Sequence, residues 1–216
     1  MSASVCASQT APWLTVAEGA PTGRALTDFL QRLCFQPAPT LWPDQSEDGC
    51  FALLEAARYP DLPEVLEASG LEHACLFKRQ AYEELRDVAP FLVRLEPEHL
   101  FTRRLLTPAS EDAPHWQRWG RGVALIRSDQ GLEELLRHFR KYTRIFDPSQ
   151  KRWTYFRFYA PETLRSLIAH MQPPAFETFS RPFRFLLTEG RGAEPVLLGA
   201  DRARLCAFID QCRPPC

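Results

Sequence analysis

Catalytic and metal-binding side chains are the first features that the sequence can reveal, and their spacing supports neither kind of site. The Gly-x-Ser-x-Gly pattern of a serine nucleophile is absent. The pairs Glu83-Glu84 and Glu133-Glu134 lie on predicted helices, where adjacent side chains do not face each other. The histidines lack the His-x-His and His-x-x-x-His spacings that bring two imidazoles to one metal ion. They are His73, His99, His115, His138 and His170. We therefore expect no catalytic site and no metal site.

Phosphate-binding loops and reactive thiols are also poorly supported. The sequence Gly120-Arg121-Gly122 lacks the third glycine of a dinucleotide-binding loop and precedes a predicted strand instead of following one. The seven cysteines are scattered, and those near the C-terminus lack Cys-x-x-Cys spacing. Cys50 and Cys75 lie inside apolar runs, where a thiol is inert. We expect no cofactor, and thiols that are mostly reduced and buried.

Composition indicates an ordinary globular chain with no excess of either charge. The 216 residues are 45% hydrophobic and 25% charged, with 26 Lys and Arg against 27 Asp and Glu. A protein that neutralises several phosphates usually carries a basic excess, so we expect no nucleic-acid partner. No apolar run approaches the ~20 residues of a membrane span, and the first residues lack the pattern of a secretory signal. We expect a cytoplasmic protein with no membrane partner.

Short apolar runs alternate with helical patterns from residue 50 onward. Strand patterns occur at 50–54, 73–77, 90–95 and 122–126, each followed by apolar residues at helical spacing. This alternation predicts an α/β fold with a central mixed sheet flanked by helices. We also expect an N-terminal helical extension and a small, mainly helical C-terminal subdomain.

These patterns divide the chain into three predicted parts. Residues 1–46 are predicted to hold a loose N-terminus, a helix with Leu26, Leu30 and Leu33 on one face, and a proline-rich linker. Residues 47–171 form the α/β domain, and residues 172–216 form the C-terminal subdomain. Because termini contribute little unless they are docked, loss of the first 20 residues is expected to leave the melting temperature nearly unchanged.

Residues 152–159 form the most unusual stretch, because five of the eight are aromatic. Side chains alternate with a period of two along a strand, so this stretch has two faces. One face holds Thr154, Phe156 and Phe158, and the other holds Trp153, Tyr155, Arg157 and Tyr159. Residues 144–146 precede it, and Asp147-Pro148-Ser149 between them signals a turn. The pattern predicts a β-hairpin.

Arg157 needs an explanation, because it is predicted to lie among aromatic side chains in a core strand. An unpaired buried charge is costly, so a structural salt bridge to a carboxylate is the favoured interpretation. The alternative is contact with a bound polypeptide, since Arg, Trp and Tyr are enriched in binding hot spots. Core and interface are likewise the alternatives for Trp116 and Trp119. The candidate partner-binding residues are Trp119, Trp153, Tyr155, Arg157 and Tyr159.

Four segments occur in an order that is similar to a known family. They are Phe51–Arg58, then Cys75–Phe77 with Ala89–Leu95, then Trp119–Gly120 leading through Ile126–Ser128 to His138–Arg140, and finally Phe156–Pro161 with Leu164. Over roughly residues 50–165, the chain resembles the bacterial type VI secretion effector adaptor (chaperone) family, long known only as a domain of unknown function.

The resemblance implies a non-enzymatic cytoplasmic adaptor. Its partners would be a cognate secreted toxin effector and the C-terminal region of the valine-glycine-repeat spike, onto which it helps to load the effector. One departure is Ala160, which stands just before Pro161 where the family usually has an aspartate. An aspartate there would cap the following helix and could pair with the neighbouring arginine, and alanine can do neither.

Two other functions stay open from the residues alone. One is an enzyme of unrecognised class, whose Cys, His and Arg side chains meet only in the folded chain. The other is a regulatory module that binds a different protein. Within the adaptor hypothesis, we expect the Arg157→Ala substitution to destabilise the fold more than it weakens effector binding.

Overall fold

The computed structural model describes residues 12–43, 48–109 and 117–214. Within these ranges the strands are β1 (Leu14–Val16), β2 (Gly49–Glu55), β3 (His73–Cys75), β4 (Pro90–Leu95), β5 (Ala124–Ser128), β6 (Arg144–Asp147), β7 (Arg152–Tyr155), β8 (Phe185–Glu189) and β9 (Pro195–Leu198). Seven of them form one sheet in the order β1-β9-β8-β5-β2-β4-β3, and β6 and β7 form a separate hairpin. All the pairings within both sheets are antiparallel.

Helices cover both faces of the seven-stranded sheet. In the described part of the chain they are α1 (Gly23–Phe35), α2 (Leu62–Ser69), α3 (Gln80–Leu85), α4 (Leu100–Leu106), α5 (Leu132–Phe139), α6 (Pro161–Ala169), α7 (Pro173–Ser180) and α8 (Arg202–Cys212). Short 3₁₀ turns follow β2, α3 and α5, at Ala56–Arg58, Arg86–Val88 and Arg140–Tyr142. The α/β class and the helix-flanked central sheet are therefore confirmed. The expectation that the sheet is mixed is wrong, because all of its strand pairings are antiparallel.

The hydrophobic core has two layers, one on each face of the sheet. The alternation along β2 shows this directly: Ala52 and Leu54 pack on the side of α1, α2, α4 and α8, whereas Phe51 and Leu53 pack on the side of α5, α6 and α7. A central strand with both faces covered is apolar at every position, which is why residues 50–54 show no alternation in the sequence. β2 thus lies between the two core layers.

The sheet draws strands from all three predicted parts of the chain. β1 comes from residues 1–46, whereas β8 and β9 come from residues 172–216. β8 pairs with β5, and β9 lies between β8 and β1. The helices expected in the C-terminal part are present as α7 and α8. The domain boundaries themselves stay a prediction.

The expected loose N-terminus does not hold for the residues that form β1. Leu14, Thr15 and Val16 pair with Leu198, Leu197 and Val196 of β9. The ring of Trp13 stacks on that of Phe176, with 4.2 Å between centroids and 11° between planes. A three-residue strand is too short to show a period, so its partner in β9 decides its structure. Residues 1–11 of the predicted loose N-terminus lie outside the described residues.

Removal of β1 is expected to lower the stability of the chain. A chain that begins at residue 21 loses the buried Leu14 and the packing of Trp13, which together contribute about 3 kcal/mol at ~1.5 kcal/mol for each side chain. For a domain of this size the melting temperature should fall by roughly 6–12 °C, measured by circular dichroism. The control is a chain that begins at residue 12, which keeps β1. Equal melting temperatures for the two truncated chains would show that β1 is dispensable.

Candidate protein-binding surface

The β6–β7 hairpin stands apart from the central sheet. Its register pairs Arg144 with Tyr155 and Phe146 with Trp153. The Asp147 carboxylate closes the turn by accepting hydrogen bonds from the backbone N–H of Ser149 (2.8 Å) and of Gln150 (3.2 Å) and from the Ser149 hydroxyl (2.6 Å). These bonds, led by that of the Ser149 hydroxyl, lower the pKa of Asp147. The predicted hairpin is confirmed.

Large apolar side chains of the hairpin are exposed to solvent. The exposed fractions are 59% for Trp153, 49% for Phe146, 46% for Ile145 and 45% for Tyr155. Residues directly opposite each other in an antiparallel pair share a face, so Arg144, Phe146, Trp153 and Tyr155 lie on one face of the hairpin. We call these four residues the aromatic face. Its indole and phenyl rings meet edge to face, with 5.8 Å between centroids.

The start of the hairpin is fixed to the end of the edge strand β3. Just before β6, the Arg140 guanidinium donates to the carbonyl oxygens of Cys75 (2.8 Å) and Leu76 (3.1 Å). The ring of Tyr155 packs on that of Phe77, with centroids 4.9 Å apart. The hairpin is therefore held in a defined position against the domain while its aromatic face stays open.

The end of the hairpin is fixed by a buried carboxylate. Glu55, the last residue of β2, has a side chain only 4% exposed. Its Oε1 lies 2.6 Å from Nε of Arg157, and its Oε2 accepts from Nη2 of Arg157 at 2.6 Å and from Nε of Arg58 at 3.1 Å. Arg58 also pairs with Glu162 in the first turn of α6. Two arginines and two carboxylates thus join β2, the chain after the hairpin, and α6; we call them the Glu55 cluster.

Two members of the Glu55 cluster, Arg157 and Glu162, are shifted toward their charged forms. The hydrogen bonds to Glu55 raise the pKa of the Arg157 guanidinium above its usual value. Burial opposes the ionisation of Glu162, but its own backbone N–H and Arg58 outweigh burial and lower its pKa. Beside them, burial followed by the charge of Glu55 raises the pKa of the Tyr159 hydroxyl to about 12. Arg157 and Glu162 are therefore charged, and Tyr159 neutral, throughout the physiological pH range.

A glycine packs against the Arg58 side chain of the cluster. Gly122 has a φ of +99°, and a Cβ atom there would lie 2.7 Å from Cδ of Arg58. Its backbone N–H donates to the buried carboxylate of Glu189 at 2.7 Å, as does that of Gly120. The Gly120-Arg121-Gly122 sequence thus serves to bind an internal carboxylate and to give Arg58 room.

The structure separates the five residues that the sequence predicts for partner binding. Trp153 and Tyr155 lie on the aromatic face and are accessible. Arg157 lies beyond the end of β7 and not in a core strand, with 56% of its side chain exposed, because the strand ends at Tyr155. The predicted salt bridge of Arg157 to a carboxylate is confirmed, and the partner is Glu55. Binding of a protein at these residues stays a prediction.

Tyr159 and Trp119 lie in the core, which corrects the expectation of a face shared by Trp153, Tyr155, Arg157 and Tyr159. The alternation of a strand does not continue past Tyr155, and Phe158 and Tyr159 both turn inward at 0% and 5% exposure. Trp119 is fully buried, and its indole N–H donates to the carbonyl oxygen of Ala193 at 2.8 Å. Neither side chain is accessible in this structure. Trp116 lies outside the described residues.

Sequence analysis missed Glu55, Arg144 and Phe146. A single acidic residue at the end of an apolar run, as in Phe51–Glu55, was the available signal for a buried carboxylate. Arg144 and Phe146 alternate with Ile145 in the predicted hairpin, but only their register with Tyr155 and Trp153 shows that they share the aromatic face.

Two kinds of feature, a metal-binding group and a membrane-spanning helix, are absent from the described residues. In residues 12–43, 48–109 and 117–214, no group of three His, Cys, Asp or Glu side chains is arranged to hold a metal ion. No helix within the same ranges has the length and apolar character needed to cross a membrane.

Comparison with known families gives one match. The family model described as "Domain of unknown function (DUF4123)" matches residues 50–177, which is more than half of the chain. The match begins in β2 and ends in α7, and it includes the hairpin and the Glu55 cluster. No curated protein matches the chain, and no solved structure matches it.

The Arg157→Ala substitution is expected to destabilise the chain moderately. It leaves the buried Glu55 carboxylate with Arg58 as its remaining arginine partner. Because the Arg157 side chain is 56% exposed, we expect a loss of about 1–2 kcal/mol, between the values for surface and buried ion pairs. This corresponds to a fall of roughly 3–6 °C in melting temperature.

Two variants serve as controls for this experiment. Arg157→Lys keeps the charge but loses the two-pronged hydrogen bonding, so its melting temperature should lie between those of the native chain and the alanine variant. Arg152→Ala removes an exposed arginine from the same hairpin and should change the melting temperature little. If the Arg152→Ala and Arg157→Ala variants had the same melting temperature, the Glu55 cluster would not stabilise the fold.

Proposed function

Since the chain belongs to the DUF4123 family, a domain of unknown function, we propose that it is a non-enzymatic adaptor that binds a type VI secretion toxin effector. In this proposal it acts in the cytoplasm and helps to load the effector onto the C-terminal region of the valine-glycine-repeat spike. Its partners are therefore two proteins, the effector and the spike.

Two observations support the proposal. The four segments that resemble the effector adaptor family all fall inside the matched residues 50–177. The aromatic face, which carries the proposal, exposes Phe146, Trp153 and Tyr155 together on one side of the hairpin. Burial of a large aromatic side chain on binding contributes a large favourable free energy, and exposed apolar patches mark protein-binding sites. We propose that this face contacts the effector.

The position of the hairpin fits an adaptor that must bind without large rearrangement. Both ends of the hairpin are fixed, by Arg140 to the end of β3 and by Arg157 to Glu55. A surface that is already ordered loses little conformational entropy on binding. The aromatic face would therefore bind as a preformed platform.

Affinity capture of the tagged full chain from its native host, read by mass spectrometry, tests the function. We expect recovery of one toxin-like protein and one spike subunit under conditions in which the secretion genes are expressed. Recovery of the chain alone under these conditions would contradict the adaptor function.

A paired substitution tests the proposed surface. The double variant Phe146→Ser/Trp153→Ser should lose most of the captured effector, because removal of central aromatic side chains typically weakens binding by more than about tenfold each. The matched control is Val88→Ser/Leu100→Ser, which removes two exposed apolar side chains (46% and 58% exposed) away from the hairpin. Loss of effector from the control but not from the hairpin variant would move the binding surface to the neighbourhood of α4.

A further inference from the structure

The hairpin is strongly basic in a chain whose net charge is −1. Residues 140–157 contain six Arg or Lys and one acidic residue, Asp147, whose carboxylate already closes the turn. All three lysines of the chain lie in or beside this region: Lys141 precedes the hairpin, Lys151 is in its turn, and Lys78 follows Phe77. The positive charge is therefore concentrated where the apolar side chains are exposed.

Arg144 is placed on the aromatic face in a way that suits it to bind an anion. Its guanidinium carbon lies 5.7 Å from the ring centroid of Tyr155 and 6.0 Å from that of Trp153. Both distances are within the range of cation–π attraction. No carboxylate of the described residues lies within salt-bridge distance of Arg144, in contrast to Arg157 nearby. The rings hold the guanidinium in position without using its N–H groups.

We propose that Arg144 binds a carboxylate of the protein partner, and that the partner segment carries an aspartate or glutamate next to apolar side chains. A guanidinium binds a carboxylate through two parallel N–H donors in its own plane, and this leaves its faces free to contact aromatic rings. Phe146 and Trp153, beside Arg144, then receive the apolar side chains. The surrounding lysines and arginines attract an acidic segment at longer range.

A protein is favoured over a nucleic acid as the occupant. Ile145 and Phe146 add exposed apolar side chains to the hairpin surface. The exposed aromatic side chains of the hairpin lie within its two four-residue strands. A single-stranded nucleic acid is bound along a longer basic groove with successive stacking rings. The proposal rests on the adaptor function, since it names the chemistry by which the same face recognises the effector.

The test is a double-mutant cycle between the full chain and a synthetic peptide. The probe is a fluorescent peptide of about 16 residues, made of Leu, Ala and Glu with Leu at helical spacing, and its counterpart has Gln in place of every Glu. Fluorescence anisotropy at low salt gives the dissociation constants. For the native chain we expect the Glu peptide to bind about tenfold more tightly than the Gln peptide, and this preference to shrink as salt is raised.

The variants assign the preference to Arg144. The Arg144→Ala chain should lose most of the preference and keep only the part that the surrounding cations supply at low salt. The Arg144→Lys chain should keep more of it, because lysine supplies charge without the planar fork. The control Arg191→Ala removes an exposed arginine from the turn between β8 and β9 and should keep the full preference. Unchanged melting temperatures show that every variant is folded.

Four outcomes would overturn the proposal: no binding of the Glu peptide, equal binding of both peptides by the native chain, equal effects of the two alanine variants, or tighter binding of a single-stranded oligonucleotide of similar length. Failure here is distinguishable from failure of the adaptor function. If the host capture recovers effector and spike while the chain binds both peptides equally, the adaptor function is supported and the binding of a partner carboxylate by Arg144 is contradicted. If the peptides are discriminated but the capture recovers neither protein, Arg144 binds acidic segments and the adaptor function falls.

Discussion

The salt bridge between Glu55 and Arg157 is the interaction on which the presentation of the hairpin depends. Glu55 ends the central strand β2, where a carboxylate is removed from water and must be paired. Arg157 contacts both oxygens of this carboxylate, Arg58 donates a hydrogen bond to one of them, and Arg58 also pairs with Glu162 at the start of α6. The requirement to neutralise one buried charge therefore fixes three parts of the chain relative to one another.

This arrangement also accounts for Ala160. Where the resembling family usually has an aspartate that could cap α6 and pair with the arginine, this chain has an alanine with no side-chain cap. Arg157 finds its carboxylate in Glu55, 102 residues earlier, and Glu162 supplies the negative charge in the first turn of α6. The start of α6 therefore keeps a favourable negative charge from Glu162, although Ala160 provides no side-chain cap.

The hairpin reverses the usual distribution of side chains between core and surface. Phe158 and Tyr159 are buried directly after it, whereas Phe146, Trp153 and Tyr155 remain exposed within it. Arg140 and the contact of Tyr155 with Phe77 fix the hairpin to the end of β3, and Arg157 fixes it to Glu55, so Phe146 and Trp153 stay exposed on a hairpin that is held in place. A fixed apolar surface beside Arg144, which has no carboxylate partner among the described residues, is suited to a partner that supplies apolar side chains and carboxylates together.

The sequence by itself determined the elements whose side chains show a clear period or a continuous apolar run. These include α1, β2, β4, α5, α8 and the β6–β7 hairpin, and also the need of Arg157 for a carboxylate. Tertiary structure decided the other features, namely β1, the burial of Tyr159 and the composition of the aromatic face, because each of them depends on residues that are distant in the chain. Only pairing with β9 makes a strand of Leu14–Val16, and only the end of β7 at Tyr155 turns Tyr159 inward. Likewise, only the register of the hairpin brings Arg144 and Phe146 onto one face with Trp153, since local propensity carries no information about which residues will be opposite each other.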